Sequence, residues 1–182
     1  SVLFGIGGSL LITLSFQTSL EREQEAAYNA YQMVLGTLQI VNSVNGQLAD
    51  VDIARILEQL TGQNTGSWTA LRLYTSPAAQ SIYEYNTHQL PYPTQLLQPG
   101  SSTMRYESTA DGGHKLSLSG THEVGNRIVY LDMARDISPL FEARRAQQKI
   151  YQWIFLLMVG LCALLSHSIA RFLTAPLDTL SR

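Results

Sequence analysis

The stretch Ser138-Pro-Leu-Phe-Glu-Ala-Arg-Arg-Ala-Gln-Gln-Lys-Ile-Tyr-Gln-Trp153-Ile-Phe-Leu-Leu-Met-Val-Gly-Leu-Cys-Ala-Leu-Leu165 decides how this chain is organised. Ser138 is a suitable helix N-cap, and Pro139 falls at the first helical position, where its missing N–H costs nothing and its fixed φ suits a helix. No Pro or Gly follows from Leu140 to Val159, and Gly160 is tolerable inside a membrane helix. The pattern predicts one rod that starts among the charges Arg144, Arg145 and Lys149 and turns apolar from Ile150 to Ala170. At about 1.5 Å per residue the apolar part covers roughly 30 Å, the thickness of a hydrocarbon core.

Working outward, the other end of the chain is apolar too. Val2 to Phe16 carries no charge and covers roughly 22 Å as a helix, so a first membrane helix with a few further residues upstream is expected. A signal peptide is the rival reading, but there is no basic n-region, and Ser15 to Leu20 makes a poor cleavage site. Gly5, Ser9 and Thr13 recur every four residues, a spacing that lets membrane helices approach closely, although small residues are common in such helices anyway. Apolar ends enclosing a polar middle explain a chain that is 45% hydrophobic and only 14% charged. The net charge of -2 gives no footing for nucleic acid. The single cysteine, Cys162, lies in the second apolar band, so the middle domain must be held by its core.

In chain order, the first apolar segment runs unbroken into a helix reaching Leu48. Ala27, Tyr31, Val34, Leu38, Val41, Asn45 and Leu48 alternate in steps of four and three, a heptad seam with one polar member. A second ridge, Met33, Leu35, Ile40 and Val44, broadens the face. The seam suits a second copy of the chain; the broader face suits packing on a sheet, and both uses stay open. Asp50 or Asp52 is expected to cap a short helix through Ile53, Ile56, Leu57 and Leu60 that ends at Gly62. Strands are then predicted at Trp68–Thr75 and Ser81–Tyr85, paired as a hairpin across Ser76-Pro77-Ala-Ala. Asn86 to Ser102, with Pro91, Pro93, Pro99 and Gly100, reads as a long loop with one helical turn at Thr94–Leu97. Three more strands, Thr103–Ser108, Lys115–Ser119 and Arg127–Met133, complete the domain, the last two separated by Gly120-Thr-His-Glu-Val-Gly125.

This order gives an α+β fold, a long helix against a sheet of about five antiparallel strands, and it resembles an extracytoplasmic PAS-like or Cache sensor domain. Arg135-Asp136-Ile137-Ser138-Pro139 resembles the close of such a domain, where the last strand feeds the helix that re-enters the membrane. Arg171-Phe-Leu-Thr-Ala-Pro176-Leu177-Asp-Thr-Leu180 resembles the start of a HAMP linker, the module after the last membrane helix of bacterial sensor histidine kinases and chemoreceptors. The resemblance implies a first transmembrane helix at 1–19, the sensor domain at 20–149, a second transmembrane helix at 150–170 and the HAMP start at 171–182. It also implies an inner-membrane, dimeric receptor with the middle domain outside, since the Arg and Lys count around the second span does not decide orientation. Signal transmission would run through Arg135, Asp136, Ser138, Pro139, Pro176, Leu177 and Leu180. The implied output is a downstream kinase using ATP and Mg to phosphorylate a histidine and then a cytoplasmic response regulator. A chemoreceptor, a diguanylate cyclase and a non-signalling membrane protein with an outer binding domain remain open alternatives.

No phosphate loop, paired-cysteine, zinc-protease or nucleophile-elbow motif occurs, so no catalytic residue and no cofactor is expected within these 182 residues. His88, His114 and His122 lie at no spacing that suits a metal, and surface or hydrogen-bonded roles are expected for them. His167, near the end of the second span, is read as reaching the headgroups rather than as a functional pivot. For a ligand, Arg72 and Tyr74 share a strand face, and Tyr83, Tyr85, Tyr106 and Tyr130 sit on neighbouring strands. Together, under the Pro-rich loop, they would frame a pocket for a small organic anion. Tyrosines are equally at home in a sheet core with their hydroxyls at its rim.

Overall fold

The computed structural model describes residues 2–46, 49–64, 66–76, 80–92 and 97–179, with backbone alone for 2–4, 89 and 173–179. Helix α1 (Val2–Asn45) and helix α2 (Asp50–Gly62) are followed by β1 (Ala70–Tyr74), β2 (Tyr83–Tyr85), a single 3₁₀ turn (Thr87–Gln89), β3 (Ser101–Ser108), β4 (His114–Val124), β5 (Arg127–Asp136) and helix α3 (Ser138–Thr179). The chain divides into a unit of Ser19–Phe141 and a unit of Ser1–Thr18 with Glu142–Arg182.

The Ser19–Phe141 unit is α+β, built on one antiparallel sheet in the order β2-β1-β5-β4-β3. One sheet face buries Leu71, Leu73, Leu116, Leu118, Leu131 and Met133 against Ala27, Tyr31, Val34 and Leu38 of α1 and Ile53 and Leu57 of α2. The seam residues Tyr31, Val34 and Leu38, at most 1% exposed, are therefore spent on the protomer's own sheet, and Val41 packs at the edge of the same core. Asn45 is exposed, and Leu48 lies outside the described residues. Of the second ridge, Leu35 is buried while Met33, Ile40 and Val44 face outward. Asp50 and Asp52 stand in the first turn of α2, where the helix dipole favours a carboxylate, but the N-cap is Ala49 and no side chain caps it. Asp50 instead pairs with Arg127 at 2.6 Å.

Strand β4 runs five residues past the expected Ser119, through the segment read as a connection. Gly120 there is not a turn residue. A Cβ at that position would collide with the Tyr31 hydroxyl and stand 2.6 Å from Nε2 of His122, so the glycine lets α1 approach the sheet. The turn itself is Gly125-Asn126, two residues between the paired Val124 and Arg127, with Gly125 at φ +65° as a tight hairpin requires. The helical turn expected at Thr94–Leu97 falls mostly outside the described residues; the 3₁₀ turn at Thr87–Gln89 follows Asn86, which is left-handed at φ 56°.

Under α1, the Tyr31 hydroxyl donates to the Leu131 carbonyl (3.1 Å) and lies 2.7 Å from Nε2 of His122. The hydroxyl proton is spent on the carbonyl, so the imidazole donates to the tyrosine oxygen. Burial pushes the Tyr31 phenol up and holds His122 below the ordinary histidine value of 6.5. A histidine whose folded pKa is depressed takes up its proton later than in the unfolded chain. Its contribution to stability is therefore complete above about pH 6.5 and is lost as pH falls below that value. The stability difference between about pH 7.5 and pH 5.5 should be smaller in His122→Gln than in the parent chain. Equal differences in urea unfolding would show that His122 does not titrate differently on folding.

In the other unit, α3 carries Trp153, Leu156, Leu157, Leu164, Ile169 and Phe172 on its outside. Among the described residues one helical stretch, Ser138–Phe172, is long and apolar enough to cross a membrane. In α1, Ile6, Leu10, Leu11 and Leu14 are more than half exposed. A Cβ on Gly8 would run into the Tyr151 ring, so a glycine permits the close approach of α1 and α3 there.

Candidate functional site

The antiparallel registers sort the predicted ligand residues onto different sides. Arg72 pairs with Asp132 across β1 and β5, and Tyr74 with Tyr130, which puts all four on the face opposite α1. Leu71 and Leu73 pair with Tyr85 and Tyr83, which puts those tyrosines on the α1 side. Tyr83 accordingly packs at the core edge and donates its hydroxyl to Oγ1 of Thr61 on α2 at 3.0 Å, while Tyr85 is exposed. Tyr106 is elsewhere again: it hydrogen-bonds Nδ1 of His114, and both rings lie against Phe141, in the first turn of α3.

What forms on the face opposite α1 is a closed cluster. The Arg72 guanidinium, 3% exposed, donates to Oδ2 of Asp132 at 2.7 Å, to the Leu90 carbonyl at 2.9 Å and to the Pro91 carbonyl at 3.3 Å. Its guanidinium carbon sits 3.9 Å from the ring centre of Tyr92. Tyr74 stacks on Tyr130 and meets Tyr92 edge to face. Burial first, and the nearby Asp132 charge second, push the Tyr74 phenol up. Leu90 fills the adjoining gap between Ala70 and Ala134. The Pro-rich loop is thus pinned to the sheet by an arginine whose charge is already met, so an external anion would have to compete with Asp132 for it.

An open hollow of about 250 Å³ lies at one end of the same unit, lined by Thr69, Asn86, His88, Lys115, Asp136 and Ser138 among others. Register places Lys115 opposite Asp136, and Lys115 also reaches Glu107 at 3.2 Å. Asp136 Oδ1 accepts the Ser138 N–H at 2.9 Å, and the Ser138 hydroxyl accepts the His114 N–H at 2.9 Å. Ser138 therefore ties the start of α3 to β4 rather than capping in the expected way. Arg135 points to the α1 side, where it bonds Glu23 of α1 at 2.7 Å and the Ser67 carbonyl at 3.0 Å. Pro139 is the second residue of α3, Pro176 and Leu177 lie in its last turns without described side chains, and Leu180 lies outside the described residues.

Chemically the hollow offers a cation, a carboxylate, imidazole, hydroxyl and amide groups, enough to hold a small polar molecule. No group of three or more His, Cys, Asp and Glu side chains among the described residues is placed to hold a metal. Sequence reasoning missed Asp132, Tyr92 and the Lys115–Asp136 pairing. Strand parity already put Asp132 and Tyr130 on one face, but the pairing of β1 with β5 is a long-range choice that leaves no local signal. Comparison with known protein families, with curated proteins and with solved structures finds no match to this chain.

Proposed function

We propose that this chain is the sensing and membrane-crossing part of a bacterial two-component sensor histidine kinase. The Ser19–Phe141 unit is the extracytoplasmic PAS-like or Cache domain, the apolar parts of α1 and α3 are its two transmembrane helices, and the residues from Arg171 open a HAMP linker. The observation that carries this reading is α3, a single helix that starts just after the last strand, passes through an apolar run and includes the Pro176-Leu177 pair in its last turns. Tyr151 and Trp153 stand where its charged turns give way to apolar ones, as interfacial anchors do. A five-stranded antiparallel sheet with a long helix on one face agrees with the sensor-domain resemblance.

The signalling elements meet at one end of the sensor unit. Arg135 clamps α1 through Glu23, while Asp136, Ser138 and the His114–Phe141 stack hold the first turn of α3. A ligand in the adjacent hollow would bear directly on Asp136 and Ser138, and it would signal through its different affinity for two arrangements of that junction. The kinase domain that uses ATP and Mg, and the response regulator it serves, belong to the cytoplasmic continuation. A second copy completes the receptor. Its seat is the outward ridge Met33, Ile40 and Val44, on a helix with no charge from Ala26 to Asn45, a surface that offers a charged partner nothing and matches itself.

The test is a chimera joining residues 1–182 to the remaining HAMP, kinase and ATP-binding parts of a characterised histidine kinase. Its autophosphorylation in membranes should change on Ala146→Pro, which removes a helix hydrogen bond and costs about 3 kcal/mol locally. Identical autophosphorylation of the chimera and its proline variant would argue that α3 carries no signal.

A further inference from the structure

We propose that the groove between α1 and α3 seats one anionic phospholipid, with its phosphodiester at Arg144 and an acyl chain along Gly5 and Phe155. The inference rests on the reading that α3 crosses a membrane. The groove holds about 410 Å³ and is lined by Gly5, Ser9, Thr13, Arg144, Gln152 and Phe155, among others. Its two walls run antiparallel, since Gly8 lies at Tyr151 while Phe16, further along α1, lies under Arg144, earlier in α3. The groove is therefore graded. One end, with Thr13, Arg144 and Gln148, sits beside the cationic turns that also hold Arg145 and Lys149; the other, with Gly5 and Phe155, sits in the apolar run. A Cβ on Gly5 would meet nothing within 4 Å, so the apolar end is open space.

Arg144 supplies the demand for an acceptor. Its guanidinium carbon lies 4.4 Å from the ring centre of Phe16, and its Nε is buried with no hydrogen-bond partner. Among the described residues no carboxylate stands within ion-pair distance of it. A buried, unmet N–H on a charged group is costly, and a phosphodiester oxygen is the acceptor a membrane provides at that depth. Every phospholipid carries that oxygen. A choline headgroup brings its own cation toward Arg144, Arg145 and Lys149, whereas a glycerol headgroup leaves the lipid net anionic, so anionic lipid is preferred.

The test uses the full chain in mild detergent, titrated with phosphatidylglycerol, phosphatidylcholine or inorganic phosphate, with bound adducts counted by native mass spectrometry. One phosphatidylglycerol per chain should be retained, at about one tenth of the concentration phosphatidylcholine needs, the effect of keeping the choline cation away from the arginine and lysine charges. Arg144→Gln should weaken retention of both lipids and narrow that preference, and Arg144→Lys should keep part of both. Ser9→Phe, which fills the groove with Arg144 intact, should weaken retention of both lipids. Equal retention of the two lipids, or phosphatidylglycerol binding unchanged in Arg144→Gln and Ser9→Phe, overturns the proposal. So does inorganic phosphate that competes as well as the lipid, or lipid excluded from a dimer whose helices fill the groove. Alkaline carbonate extraction separates the two failures. A chain released from membranes sinks the membrane reading itself, and one that stays but shows no lipid preference sinks this inference alone.

Discussion

Asp132→Ala is expected to destabilise the Ser19–Phe141 unit by about 3 to 5 kcal/mol, because it leaves the buried Arg72 guanidinium without its counter-charge. The carboxylate cannot be replaced by its neighbours: the Leu90 and Pro91 carbonyls already accept from Arg72 and carry no full charge. Loss on this scale is a large share of the 5 to 15 kcal/mol that holds typical domains folded. Removing both charges is a different matter, since a buried ion pair exchanged for apolar groups of similar volume is often neutral. Arg72→Met with Asp132→Leu should accordingly recover most of what Asp132→Ala loses. Denaturant unfolding of the solubilised chain, followed by the buried Trp68 in a Trp153→Phe background, reads both values. A single substitution costing under about 1 kcal/mol would mean that the clamp on the Pro-rich loop is not an ion pair in solution.

The second large effect separates the two ridges of α1. Leu38 is 1% exposed against the sheet, so Leu38→Glu buries an unpaired carboxylate at a cost of several kcal/mol and should unfold the unit. Ile40, two residues on, is 65% exposed. Ile40→Glu should leave stability within about 0.5 kcal/mol of the parent while abolishing self-association in detergent, measured as particle mass. A folded Leu38→Glu chain would show that the seam does not serve the core. A dimer that survives Ile40→Glu would remove the outward ridge as its seat.

Periodicity located α1, α2 and α3 because helical amphipathicity is a local pattern, and it located the strands to within a few residues except in β4. There Gly120 looks like punctuation in the sequence, whereas its lack of a side chain serves the approach of Tyr31. The seam Tyr31, Val34, Leu38 was legible as apolar, but which surface would cover it was not: a heptad spacing fits a sheet as well as a partner helix, and the answer lies in residues about ninety positions away, at Leu118, Leu131 and Met133. The same holds for the candidate site. Arg72, Tyr74 and Tyr130 do share one face, as strand parity allows, yet Tyr83 and Tyr85 fall on the other because the register of β2 against β1 is set by the hairpin connection. Asp132 is not legible as a site residue because a lone acidic residue inside a strand announces no partner until the strand order is known.

The proposed topology has α3 carrying the chain across a membrane, with the sheet outside and the HAMP start inside. It is tested most directly by two cysteines introduced separately into a Cys162→Ser background, one at Asn126 in the exposed β4–β5 turn and one at Thr179, the last residue of α3. With an impermeant thiol reagent on intact cells, the Asn126→Cys chain should be labelled, and the Thr179→Cys chain should be labelled only after permeabilisation. Labelling of both in intact cells, or the reverse pattern, would contradict the topology and with it the proposed function.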